Sequence, residues 1–97
     1  MIERSEGGIY VTGATASLRG KPFTTGFAPA KGAQRLLAQA LARDLGPKGV
    51  HVGLFIIDGR VTEMKPDAIA ETYWNVATQP KSCWSFETEL RPSTENW

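Results

Sequence analysis

Residue types that carry chemistry are sparse in these 97 residues. His51 is the single histidine and Cys83 the single cysteine. A two-histidine metal site, a cysteine-rich zinc site and an intrachain disulfide are therefore excluded, and no metal ligand set is expected. His51 has no clear serine partner and reads as a strand-end or internally satisfied histidine. Cys83, between Ser82 and Trp84, reads as a buried or half-buried structural thiol rather than a nucleophile. Val11-Thr12-Gly13-Ala14 opens like a loop that cradles a pyrophosphate against a helix N-terminus. Ala16, Ser17 and Leu18 then stand where further glycines would be needed, so the stretch reads better as the end of a strand. Asp58 closes an apolar run, the place where open α/β sheets bind ligands, although Asp58-Gly59 is also an ordinary turn and that is the preferred reading. Lys31 by itself reads as an exposed lysine near a helix start. Trp74, Trp84 and Trp97 read as packing or interface residues. Arg35, Arg43 and Lys48 form a thin, solvated scatter.

Eleven basic side chains face ten acidic ones, for a net charge of +1. Tracking a nucleic-acid backbone needs a basic excess, so no nucleic-acid partner is expected. The composition, 41% hydrophobic and 22% charged, is that of a globular chain. No apolar run approaches the ~20 residues of a membrane span, so no membrane partner is expected. The opening Met1-Ile2-Glu3-Arg4-Ser5-Glu6 has no apolar core of a secretory signal, so the expected location is cytoplasmic.

The elements that would position these residues follow from hydrophobic period. Ile9-Tyr10-Val11-Thr12, within a strand over 8–13, is β-branched and aromatic and is bounded by Gly13. The strongest helix spans 24–45, with Phe27, Ala30, Ala33, Leu37, Ala40 and Leu41 recurring at threes and fours and Leu36 and Leu45 widening the apolar face. Pro29 fits only its first turn, and Gly46-Pro47 stops it. Residues 50–57 are almost continuously apolar, as in a central parallel strand covered on both faces. A second helix spans 66–79, with Ile69, Tyr73 and Val76 on one face, extended by Trp74 and Ala77. A half-exposed edge strand spans 84–90, with Trp84, Phe86, Thr88 and Leu90 on one face. The order β-α-β-α-β predicts one α/β domain over 1–97 with a three-stranded parallel sheet. So small a sheet leaves a raw edge, and self-association is expected to complete it.

Three stretches now combine. Ile9-Tyr10-Val11-Thr12-Gly13-Ala14, Phe27-Ala28-Pro29-Ala30-Lys31 and Leu41-Ala42-Arg43-Asp44-Leu45-Gly46-Pro47-Lys48-Gly49-Val50-His51-Val52 together resemble the C-terminal half of a short-chain dehydrogenase/reductase. The resemblance runs from about residue 7 onward and implies a partial Rossmann-like, NAD(P)-binding fold, a truncated one relative to the family's usual length. The glycine-rich nucleotide turn belongs to the half not represented here.

The resemblance implies that a tyrosine and a lysine four apart on one helix, with a serine, transfer a proton while hydride moves. Lys31 keeps the lysine position and, with Asp58 and Gly59, is the implied remnant of cofactor contact. Phe27 stands at the tyrosine position and Ala14 at the serine position, so both are degenerate. The threonine that contacts the nicotinamide would fall on Glu63, with Thr62 one position early. Only Arg60 to Lys65 stand where the family has a substrate-covering loop, so a small-molecule substrate is doubtful. The expected function is an oxidoreductase-like homologue without independent dehydrogenase activity and with no cofactor of its own, NAD(P) if any. The alternative is a non-catalytic oligomerising or regulatory module that docks on itself or on a full-length relative. The family packs the equivalent helix against a symmetry mate, which places a homo-oligomer interface on Ala30, Ala33, Leu37, Ala40 and Leu41.

Overall fold

A computed structural model describes residues 1–60 and 62–96. Strand β1 (Gly8–Ala14) leads through a short 3-10 turn (Thr15–Ser17) and a loop to helix α1 (Phe27–Leu45). A second 3-10 turn (Gly46–Lys48) precedes strand β2 (His51–Ile57), helix α2 (Pro66–Ala77) and strand β3 (Glu87–Leu90). The sheet has the order β1-β2-β3 and both pairings are parallel. This is the α/β architecture expected from the alternation of strands and helices.

The continuous apolar run makes β2 the centre. Its first six residues are buried, with Leu54, Phe55 and Ile56 fully so. Successive side chains point to opposite faces, so each half of β2 needs its own cover. On one face Leu54 and Ile56 pack with Ala38 of α1, joined by Val11, Leu18 and Phe86. On the other face Phe55 stacks on Tyr73 of α2, ring centroids 3.7 Å apart and 13° from parallel. The two helices thus lie on opposite faces of the sheet. Gly49 connects α1 to β2 at φ +85°, where a Cβ would strike the backbone of Ser5.

Element ends differ from expectation for identifiable reasons. Helix α1 begins at Phe27 rather than residue 24, and Pro29 falls in its first turn. The preceding residues enter by backbone bonds only, Ala28 N–H to Thr24 O and Ala30 N–H to Gly26 O. Helix α2 ends at Ala77, where Thr78 turns its hydroxyl back to Trp74 O at 2.9 Å. Strand β3 starts at Glu87, three residues late. Trp84 and Phe86 do not share a face: Trp84 stacks on His51, whereas Phe86 joins the cluster under α1. Gln79 holds this segment out of the ladder, bonding Ser85 N, Ser85 Oγ and Trp84 Nε1 through its side chain and carbonyl. Trp74 does not extend the buried face of α2. It lies about 100° round the helix from Tyr73 and is 68% exposed.

Candidate functional site at the C-terminal end of the sheet

Asp58 follows β2 directly and is the most buried charged group described, at 0% exposure. A carboxylate there requires partners. Thr15 Oγ1 donates to Oδ1 at 2.6 Å from the turn after β1. Arg19 Nη2 reaches both carboxylate oxygens, at 3.1 and 3.0 Å. Arg91, just past β3, donates from Nε to Oδ2 at 3.2 Å and from Nη2 to Glu89 at 2.8 Å. The Asp58 N–H donates to Leu90 O. Burial pushes the Asp58 carboxyl up, but the hydrogen bonds from Thr15, Arg19 and Arg91 outweigh it and hold the group below its usual range. The turn reading of Asp58-Gly59 is therefore too modest. Asp58 ties together the ends of all three strands, and none of its three side-chain partners was singled out in the sequence as such. Their separations of 43, 39 and 33 residues leave no local pattern to read. Gly59 packs against Pro92 and Met64, with a Cβ position 2.6 Å from the proline ring.

Lys31 and Phe27 stand a turn apart on α1. Lys31 Nζ donates to Thr12 O at 3.4 Å and to Gln34 Oε1 at 3.3 Å, and lies 5.8 Å from the centroid of the Phe27 ring. The ring is 54% exposed and carries no proton to transfer. Ala14 ends β1 with a methyl group, and its N–H donates to Ser17 Oγ at 3.0 Å. The nearby hydroxyls are thus committed, Thr15 to Asp58 and Ser17 to Ala14. The residues present do not fit a dinucleotide pyrophosphate at this turn. The open side of Gly13 is filled from within the protein, by Ser17 Oγ at 2.8 Å and Ile56 Cδ1 at 2.9 Å from where a Cβ would lie. A shallow concavity of about 740 Å³ opens between this turn and the start of α1, with Arg19, Lys21 and Thr24 on its walls.

The opposite end of the sheet holds an aromatic cluster. His51 is buried and stacks on Trp84, centroids 4.6 Å apart and 4° from parallel. Its Nε2 lies 2.7 Å from Ser85 O, so Nε2 carries the proton, and Nδ1 accepts from the Tyr10 hydroxyl at 3.4 Å. Burial raises the Tyr10 phenol. His51 is thus internally satisfied, and His51, Tyr10 and Trp84 form a packed unit rather than a reactive one. Cys83 is exposed, not buried, and has no disulfide partner. Glu63 and Thr62 are exposed. Trp97 lies outside the described residues.

Of the residues expected at an interface, Ala30, Ala33, Leu37 and Ala40 are exposed and Leu41 is half-buried. Leu36 and Leu37 are 64% and 60% exposed. The small and apolar residues of α1 point largely away from this sheet, and only Ala28 and Ala38 are buried. Among the described residues no helix is long and apolar enough to cross a membrane.

No family model matches the chain, and no curated protein matches it significantly. Solved structures do. A short-chain dehydrogenase from Rhodopseudomonas palustris superimposes with a TM-score of 0.86 and 48% identity, over 95% of this chain and 41% of its own. Serine dehydrogenase from Escherichia coli gives 0.84 and 26%, over 100% and 44%. A metagenomic short-chain oxidoreductase, solved with NADP, gives 0.79 and 21%, over 98% and 42%, a likeness of fold alone. The chain spans about two fifths of the length of each.

Proposed function

We propose that this chain, whose fold matches the C-terminal part of short-chain dehydrogenase structures, by itself transfers no hydride and serves as a self-associating scaffold of that fold. One observation carries the reading. Phe27 and Lys31 sit side by side on α1, where the resemblance calls for a tyrosine and a lysine, and the ring beside the ammonium has no hydroxyl. The lysine of such a pair acts by lowering a phenol's pKa and holding a ribose. Here Lys31 is engaged by Thr12 O and Gln34 instead. The filled space at Gly13 supports the same conclusion for the nucleotide. Self-association is supported by the exposed flank of Ala30, Ala33, Leu37 and Ala40. The exposed free thiol of Cys83 favours a reducing, cytoplasmic setting.

Titration with NADH and NADPH, followed by tryptophan fluorescence, tests the reading alongside hydride-transfer assays on alcohol and carbonyl pairs. The expected result is no saturable binding at millimolar nucleotide and no turnover. Micromolar binding that disappears in Lys31→Ala would overturn it.

A further inference from the structure

The donors around Asp58 come from three separate places in the chain. Thr15 opens the turn after β1, Arg19 lies in the loop that follows, and Arg91 comes directly after β3. Between them they place two hydrogen bonds on each carboxylate oxygen. Oδ1 accepts from Thr15 Oγ1 and Arg19 Nη2, and Oδ2 from Arg19 Nη2 and Arg91 Nε. Two guanidinium groups and a hydroxyl closing on one planar anion are a donor set suited to recognising a carboxylate. The backbone that carries Asp58 adds nothing to this set, since its N–H goes to Leu90 O. The cluster also stands at the strand ends, where open α/β sheets hold ligands.

Each arginine also reaches a cavity. Arg19 stands on the wall of the concavity of about 740 Å³ before α1. Arg91 stands on the wall of another, of about 210 Å³, beside Met64, Ile69 and Leu90. Their side chains are 30% and 18% exposed, whereas the Asp58 side chain between them is 0% exposed. Solvent thus reaches the cations, and the carboxylate fills the space they enclose.

We propose that Thr15, Arg19 and Arg91 form a binding site for a small carboxylate, and that Asp58 occupies it from within as a tethered ligand. The tether keeps external carboxylates out. A carboxylate fixed at the end of β2 has already given up the freedom of motion that a free anion must lose on binding. An anion as small as formate reaches at best about millimolar affinity, so it does not displace the tethered group. Alanine in place of Asp58 removes the carboxyl group alone, which is formate in size and shape. The site is then open, with Thr15 and Arg19 left without their acceptor and Arg91 retaining Glu89.

Thermal unfolding of the full chain in sodium formate, against sodium chloride at equal ionic strength and fixed protein concentration, tests this. Asp58→Ala should show a saturable rise in Tm in formate over chloride, half-complete between about 1 and 100 mM. The wild type should show no difference between the two salts, and neither should Asp58→Asn, whose amide fills the same space. Arg19→Ala added to Asp58→Ala should abolish the rise, and uncharged formamide should not produce it. If Asp58→Ala is unfolded in chloride, formate should restore its folded circular dichroism. Equal responses of Asp58→Ala to formate and chloride would overturn the proposal, as would a formate rise of the same size in the wild type. So would failure of formate to restore an unfolded Asp58→Ala. None of these results bears on nucleotide binding or self-association, which the nucleotide titration and light scattering decide separately.

Discussion

Replacing Asp58 by Asn removes the charge on which three strand ends converge while keeping side-chain volume. Breaking a fully buried ion pair costs about 3–5 kcal/mol, mostly because an uncompensated charge remains. Here the groups left behind are Arg19 and Arg91, whose side chains are 30% and 18% exposed, and Arg91 retains Glu89. Water and Glu89 relieve part of the penalty, which places the expected loss near the lower end, about 3 kcal/mol. In a chain of this size that corresponds to a fall in Tm of roughly 12–24 °C. Urea and thermal unfolding of the wild type and Asp58→Asn, at one fixed protein concentration so that any association is the same for both, provide the measurement. A loss under about 1 kcal/mol would mean that the ion pairs gain no more than exposed ones and would refute the reasoning. The pH dependence gives a second reading. Because the folded state holds the Asp58 pKa below its unfolded value of about 3.9, the group's stabilisation is complete above that value. It is lost as pH falls through the lower folded pKa. Asp58→Asn should therefore show a shallower acid limb than the wild type.

Other substitutions separate the core from the surface. Leu54→Ala empties a fully buried site between β2 and α1 and should cost about 2–5 kcal/mol by denaturant titration. Arg35→Ala breaks an ion pair whose side chains are 40% and 23% exposed, and should cost no more than about 1 kcal/mol. Gly49→Ala forces a Cβ into the Ser5 backbone at a positive φ, and should destabilise by more than about 1 kcal/mol. Phe27→Tyr restores a phenol beside Lys31 yet, on the proposed reading, should confer no NADPH-dependent reduction, because it supplies no nucleotide site; turnover in that variant would show that the chain binds and uses the nucleotide.

Periodicity and punctuation determined the elements. An almost continuous apolar run only eight residues long between Gly49 and Asp58, rich in β-branched residues, reads as a strand covered on both sides, and Pro66-Asp67 can begin a helix but not sit inside one. Local sequence therefore specified three strands, two helices and their parallel order, to within a few residues. What tertiary structure decided were the pairings over long separations. Asp58 reads locally as half of a turn, and only the folded chain brings Thr15, Arg19 and Arg91 to it. Trp84 and Phe86 sit two apart, as strand neighbours on one face would, yet the Gln79 side chain diverts the segment and sends them to opposite faces. The apolar stripe of α1 was legible as a stripe, but which part of it meets the sheet was not. That depends on how the helix is rotated over β2, and here the rotation buries Ala28 and Ala38 and leaves Phe27, Leu36 and Leu37 facing outward. A hydrophobic period fixes the width of an apolar face, whereas its orientation is set by the side chains it must fit between.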